Sequence, residues 1–199
     1  MKTDQEGIGL SLRAATPQDA QAIAALVNSA YRGDSSRAGW TTEADLLGGQ
    51  RTDAEAVASI IATPNDVLLV HDDFVSLNEE RASMSDAGMA ASRQTLCCVH
   101  LERTDDGCYL GMLTVRPTAQ AGGLGRRLLM AAEAWAAQHW SSTRVYMTVI
   151  MQRPELIAWY ERRGYRRTGE RRAFPYGDVR FGLPQRDDLE FEVLEKPLG

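Results

Sequence analysis

Cysteine is scarce: Cys97, Cys98 and Cys108 are the three in 199 residues. An odd number, two of them adjacent, excludes a disulfide framework of the kind that staples small secreted domains. The segments that carry them read as buried strands, so inert thiols are expected. Long apolar runs are also missing, and nothing approaches the roughly 18 to 20 residues a membrane helix needs. The opening stretch MKTDQEGIGLSLR lacks the apolar region of a secretory signal. A cytoplasmic protein with no membrane partner is expected. There is no excess of positive charge: the net charge is −5, which speaks against nucleic acid held by bulk charge. Neither a repeat nor a clear linker divides the chain, so one domain over 1–199 is expected, with a mobile loop near 77–94 where large apolar residues are few. His71-Asp72-Asp73 are too close together to ligate one metal and have no partner Cys or His pair. A strand-end turn and no metal are expected there.

Apolar spacing supplies the elements. Residues 10–16 alternate as a strand, and Thr16, Pro17 and Asp19 open a helix with apolar positions at 23, 26, 27, 30 and 31. A loop over 32–40, helices over 41–47 and 52–62 and a strand over 66–71 follow. Strands 95–102 and 108–115 flank an Asp-Gly turn, a hairpin signal. A helix from about 123 to 140, strand 144–150, helix 154–163 ended by Gly164, and closing strands within 164–174 and 189–196 complete the chain. The fold class this order implies is α/β: a mixed, mostly antiparallel sheet with helices on both faces and one parallel crossover through the 123–140 helix.

The stretch QAGGLGRRLL, 120–129, places three glycines at the mouth of a helix, although glycine in a helix interior is unfavourable by up to ~1 kcal/mol relative to alanine. Glycines there let an anion approach the unpaired amides and the positive end of the helix dipole. The P-loop ending Gly-Lys-Ser/Thr is absent, and Gly123-Leu-Gly125-Arg-Arg-Leu128 lacks the third glycine of the dinucleotide fingerprint. A tight turn without a ligand is the alternative. The helix should bury Leu124, Leu128, Ala132 and Trp135 and keep Arg126 and Arg127 at the anion end. Seven arginines against three glutamates in 153–172 allow two readings, a solvated surface or a landing site for an anion.

VRPTAQAGGLGRRLL strongly resembles the acetyl-CoA motif of the GNAT N-acetyltransferase superfamily, with Val115, Pro117, Gln120, Gly123 and Gly125 at the family positions. LRAATPQDAQAIAALVNSAY resembles the family's first strand and helix, and MTVIMQRPELIAWYERRGYRRTG its second conserved segment. The resemblance implies a single-domain GNAT-like fold and transfer of acetyl from acetyl-CoA directly to the amine of a small molecule or amino acid. The alternative is a non-catalytic acetyl-CoA-binding or scaffold protein. Backbone amides from Gln120 through Ala121, Gly122, Gly123, Leu124 and Gly125 to Arg126 would hold the pyrophosphate. The strand Leu113, Thr114, Val115 would pair with the pantetheine arm, and Tyr160 would protonate the leaving thiolate. Family members often have Asn where this chain has Arg153, which is carried over as a cofactor contact. They are often dimers, which allows a homodimer here.

The general base is sought on strand 95–102, where His100 and Glu102 share a face with Cys98 and could activate the amine through a water, or simply form a solvent-facing strand end. A Glu that some relatives use on the cofactor strand corresponds to Tyr109. The acceptor pocket is expected from 37–46 and 173–182, with Trp40, Thr41, Glu43, Phe174, Tyr176 and Asp178 as candidates. Glu43 or Asp178 could hold a cationic amine. Arg153 or the arginines of 166–172 could instead favour an amine that bears a carboxylate.

Overall fold

The computed structural model describes residues 10–75 and 92–199. Its elements in chain order are β1 (Arg13–Ala14), α1 (Ala20–Tyr31), α2 (Gly33–Ser36), β2 (Leu47–Gly48), α3 (Ala54–Ala62), β3 (Asp66–Val75), β4 (Ser92–Thr104), β5 (Gly107–Val115), α4 (Leu124–Trp140), β6 (Arg144–Ile150), α5 (Pro154–Glu161), β7 (Arg166–Ala173), β8 (Leu183–Pro184) and β9 (Glu190–Pro197). Seven strands form one sheet in the order β1-β3-β4-β5-β6-β9-β7. Every pairing is antiparallel except β5 with β6, which α4 connects.

Period-two alternation divides the sheet residues between two cores. On one face Leu68, Val70 and Cys98 meet Ile23, Leu26, Val27 and Ala30 of α1 and Val57 of α3. On the other, Val99, Leu101, Leu110, Val145 and Leu194 meet Leu124, Leu128 and Ala132 of α4 and Ile157 of α5. Burying each such side chain contributes about 1.5–3 kcal/mol. Trp135 is half-buried against this second core, stacked on His139 and edge-on to Trp140. Among the described residues no helix is long and apolar enough to cross a membrane.

All three cysteines are buried and unpaired, and burial pushes each thiol up to about 12. The thiolate is the nucleophile. Native protein at pH 8 should therefore leave an aromatic disulfide reagent unreacted, and all three thiols should titrate in guanidinium. Stoichiometric reaction before unfolding would contradict this burial.

Several elements depart from expectation. Residues 41–47 are not a helix. The Leu46 and Leu47 amides donate to the Glu43 carbonyl, closing a single turn, and Leu47–Gly48 then pairs with Leu183–Pro184. Gly49, at φ 76°, stops any continuation. The expected loop 32–40 contains the one-turn α2, and the first strand shrinks to two residues. His71–Asp73 lie inside β3 rather than in a turn, and Asp72 pairs with Arg13 and Arg93. The expected loop 77–94 falls outside the described residues as far as 91, and 92–94 are already strand.

The sheet is divided in the middle. β5 and β6 are in register only at Cys108↔Val145 and Tyr109↔Tyr146. Across β4, Cys98 faces Thr114 but His100 faces Gly111, so β5 carries one extra residue. That bulge places Met112 at φ 51°, a region costly for a side chain with a Cβ. The Thr114 hydroxyl, itself buried, donates to the Met112 carbonyl and braces the bulge. Beyond Tyr109 the two strands part.

Candidate active site

Two hollows open along the parting. A groove is lined by Trp40, Leu113, Val115, Gly123, Gly125 and Arg163 among others, and a cavity of about 360 Å³ by Glu43, Arg51, His100, Tyr109, Arg153 and three phenylalanines among others. Tyr31, Leu113, Leu156 and Tyr160 line both, so the hollows meet at these four side chains.

The groove ends at the start of α4. Gly123 sits at φ 72° as the residue before the helix, and a Cβ on Gly122 or Gly123 would meet nothing within 4 Å. The space above these backbone amides is open. Helix geometry leaves the first amides of α4 without intrahelical acceptors. A Cβ on Gly125 would stand 3.7 Å from both Trp159 and Val115, across the groove. Leu124 is buried in the core and Ala121 is exposed on the preceding turn, so their side chains stay out of the groove. Gln120 lines it, but its side chain fastens a loop. It accepts from the Trp40 amide at 3.0 Å and donates to the Thr41 hydroxyl and the Val115 carbonyl at 3.0 Å each. The fit is tight, since a Cβ on Gly39 would lie 2.6 Å from the Gln120 amide oxygen.

Cationic groups gather at the same end. The Arg163 guanidinium lies 3.5 Å over the Trp159 ring, and its Nε is buried without a partner. Burial, with Arg162 and Arg126 nearby, lowers its pKa. An anion in the groove would relieve both. Arg162 and Arg163 belong to the arginine cluster read from the sequence. Four others have the bland fate: Arg166, Arg167, Arg171 and Arg172 on β7 pair with Glu195, Glu161, Glu190 and Glu170 on an exposed face. The open glycine backbone and the Arg163 guanidinium, whose Nη1 donates to the Trp159 carbonyl at 2.6 Å while its Nε has no partner, fit a pyrophosphate-bearing ligand such as acetyl-CoA.

Tyr160 stands at the crossing of groove and cavity, packed edge-on to Trp159 and Tyr165. Its hydroxyl has no hydrogen-bond partner among the described residues. Burial, and Tyr31 beside it, hold its pKa well above that of an ordinary phenol. Tyr31 was not singled out from the sequence. It ends the apolar stripe of α1, yet its hydroxyl donates at 2.6 Å to the carbonyl of Leu113, in the bulge. Nothing local to Tyr31 announces a partner 82 residues away. Burial pushes its pKa up to about 12.

His100 reaches the cavity wall, on the face opposite Val99 and Leu101. Burial lowers its pKa, opposed by Asp66, 3.5 Å from Nε2, and by Glu102. Glu102 is exposed, opposite Tyr109 in the β4–β5 ladder, and lines neither hollow. Tyr109 bridges the parting strands through a 3.0 Å contact with the Thr148 hydroxyl.

The expected acceptor segments do come together, with Phe174, Phe181 and Glu43 in the cavity wall. Trp40 and Thr41 line the groove instead, Trp40 with its ring 5.6 Å from that of Trp159. Tyr176 and Asp178 line neither hollow. The Tyr176 hydroxyl accepts from the Leu189 amide, and Asp178 pairs with Arg180. Arg153 lines the cavity and not the groove. It is 2% exposed and donates to the Thr41 and Trp40 carbonyls at 3.0 and 3.2 Å. It also pairs with Glu43 at 3.7 Å and Glu155 at 3.3 Å. Its fork holds the loop rather than facing the groove. Glu43 is buried between Arg153 and Arg32, to which it is hydrogen-bonded. Its charge is met from within the protein.

The sheet parts at a bulge above a glycine-led helix, and the two hollows meet there. Residues 87–165 match the model of the acetyltransferase (GNAT) family. The match spans β4, β5, α4, β6 and α5. A spermidine N-acetyltransferase from Vibrio cholerae, solved in complex with CoA and spermine, has the same fold. Its TM-score is 0.61 at 14% identity over 94% of each chain. A putative GNAT acetyltransferase from Desulfovibrio desulfuricans superposes with a TM-score of 0.60 at 14% identity, over 95% of this chain and 99% of that one. No curated protein matches the chain in sequence.

Proposed function

We propose that the protein transfers the acetyl group of acetyl-CoA to the amine of a small molecule by direct attack, with Tyr160 as acid and His100 as base. The observation that carries this reading is the meeting of groove and cavity at Tyr160. Two substrates entering from opposite sides would bring their reacting ends together there. Acetyl-CoA supplies the activated acetyl thioester when bound. The amides at Gly123–Gly125 and the Arg163 guanidinium would hold its phosphates, and the edge of Leu113–Val115 its arm.

The proton steps set the remaining needs. An alkyl ammonium has a pKa of about 10.4 and a thiol about 8.5, so near neutrality the amine must lose a proton and the departing sulfur gains from receiving one. A buried phenol kept protonated, with its hydroxyl free, suits Tyr160 to the second task. A neutral imidazole in the cavity wall suits His100 to the first. Tyr31 holds the Leu113 carbonyl and thereby fixes the bulge beside them.

The test is isothermal titration of acetyl-CoA into the protein, followed by a screen of amines for free-thiol release. Saturable binding and amine-dependent release are expected. Binding without turnover of any amine, unaffected by Tyr160→Phe, would favour the scaffold alternative.

The base also predicts a pH profile. Because burial lowers the His100 pKa from 6.5, the acid limb of kcat should lie below pH 6.5. Asp66 stabilises the imidazolium, so Asp66→Asn should move that limb to still lower pH. A limb above pH 6.5, or one unchanged in His100→Gln, would remove His100 from the role.

A further inference from the structure

The cavity holds three arginines, Arg32, Arg51 and Arg153, in or against its wall, and only two have acids. Arg32 pairs with Glu43, and Arg153 with Glu43 and Glu155. Arg51 lines the cavity with no carboxylate in ion-pair range among the described residues, and its Nε is buried without a hydrogen-bond partner. Its guanidinium carbon lies 5.5 Å from the centroid of the Tyr31 ring, whose hydroxyl bonds the bulge carbonyl of Leu113. The unmatched charge therefore stands beside the crossing of the two hollows.

We propose that the acceptor is an amine that also carries an anionic group, a carboxylate being the simplest, and that Arg51 binds that group. Arg51 is half-buried with an unsatisfied Nε, and a planar carboxylate matches its guanidinium fork. Among the described residues Glu43 is the one acid in the cavity wall, and two arginines already engage it. A polyamine would find no free carboxylate there and would face an uncompensated positive charge. Phe174, Phe181 and Phe191 give the rest of the wall an apolar aromatic character, suited to the body of an apolar or aromatic amino acid.

The inference rests on the acetyltransferase reading, and its test separates the two. Thiol release from acetyl-CoA is measured with phenylalanine, leucine, their amides, phenethylamine and spermidine. The carboxylates should be favoured in kcat/KM by ~10- to 100-fold, the range a charge-assisted contact supplies. The amides carry the less basic amine, which biases the comparison against this result. Arg51→Gln should raise KM for the carboxylates by about the same factor and leave the amides unchanged, with Arg51→Lys partly restoring the preference. The acetyl-CoA Kd and melting temperature of each variant establish that the fold survives. Better turnover of spermidine or the amides overturns the proposal. So does a preference that persists in Arg51→Gln, or a panel in which acetyl-CoA binds but no carboxylate is acetylated. Failure of acetyl-CoA to bind the wild type overturns the acetyltransferase reading itself.

Discussion

Gly123→Glu is expected to abolish acetyl-CoA binding, raising Kd at least ~100-fold, or about 2.7 kcal/mol. Two effects weaken binding, beside a backbone strain at φ 72° of roughly 1–2 kcal/mol that lowers the stability of free and bound protein alike. The new side chain fills the space above the amides that a pyrophosphate would occupy, where nothing lies within 4 Å of a Cβ. Its carboxylate also takes the positive end of α4, a favourable contact of about 0.3–1 kcal/mol that the ligand then has to displace. Gly122→Ala is the control. That position has no positive φ and equally open space, so its Kd should change little. Isothermal titration reads both variants. Tight binding retained in Gly123→Glu would make the glycine stretch a structural turn only.

Tyr160→Phe is expected to lower kcat by ~100-fold or more, within the range of lost general-acid catalysis. The substitution removes one oxygen and keeps the edge-on contacts with Trp159 and Tyr165, so the fold and the acetyl-CoA Kd should be preserved. A kcat within a few-fold of wild type, at unchanged Kd, would assign the hydroxyl no part in the reaction. Tyr31→Phe offers a contrast: its hydroxyl is already engaged by Leu113, so its loss should act through the bulge rather than on a proton.

The parts of this site that local chemistry dictates could be read in advance. Helical spacing placed Leu124, Leu128 and Ala132 inward, and glycines before an apolar helix marked the groove's end. The hairpin of β4 and β5 and the crossover through α4 followed from turn residues and periodicity. What escaped depends on distant partners. Met112 adopts a positive φ with no glycine to advertise it. TTEADLL has a helical pattern, yet Leu47–Gly48 gains more from pairing with Leu183–Pro184. Glu43 looked available for a cation until Arg32 and Arg153 closed on it, and Arg51 carried no sign of being left unmatched. The β2–β8 pairing and the Arg153–Glu43 contact join segments that no window along the chain contains.

Two register pairs are a slender seam for a seven-stranded sheet. The half made of β1, β3, β4 and β5 and the half made of β6, β9 and β7 share little backbone hydrogen bonding, and side chains under α4 and α5 hold them together. Such halves are expected to open as separate cooperative units. A ligand arm lying along Leu113–Val115 would supply the missing rung between them. Amide hydrogen exchange should then detect two protection levels in the free protein, merging toward one when acetyl-CoA binds.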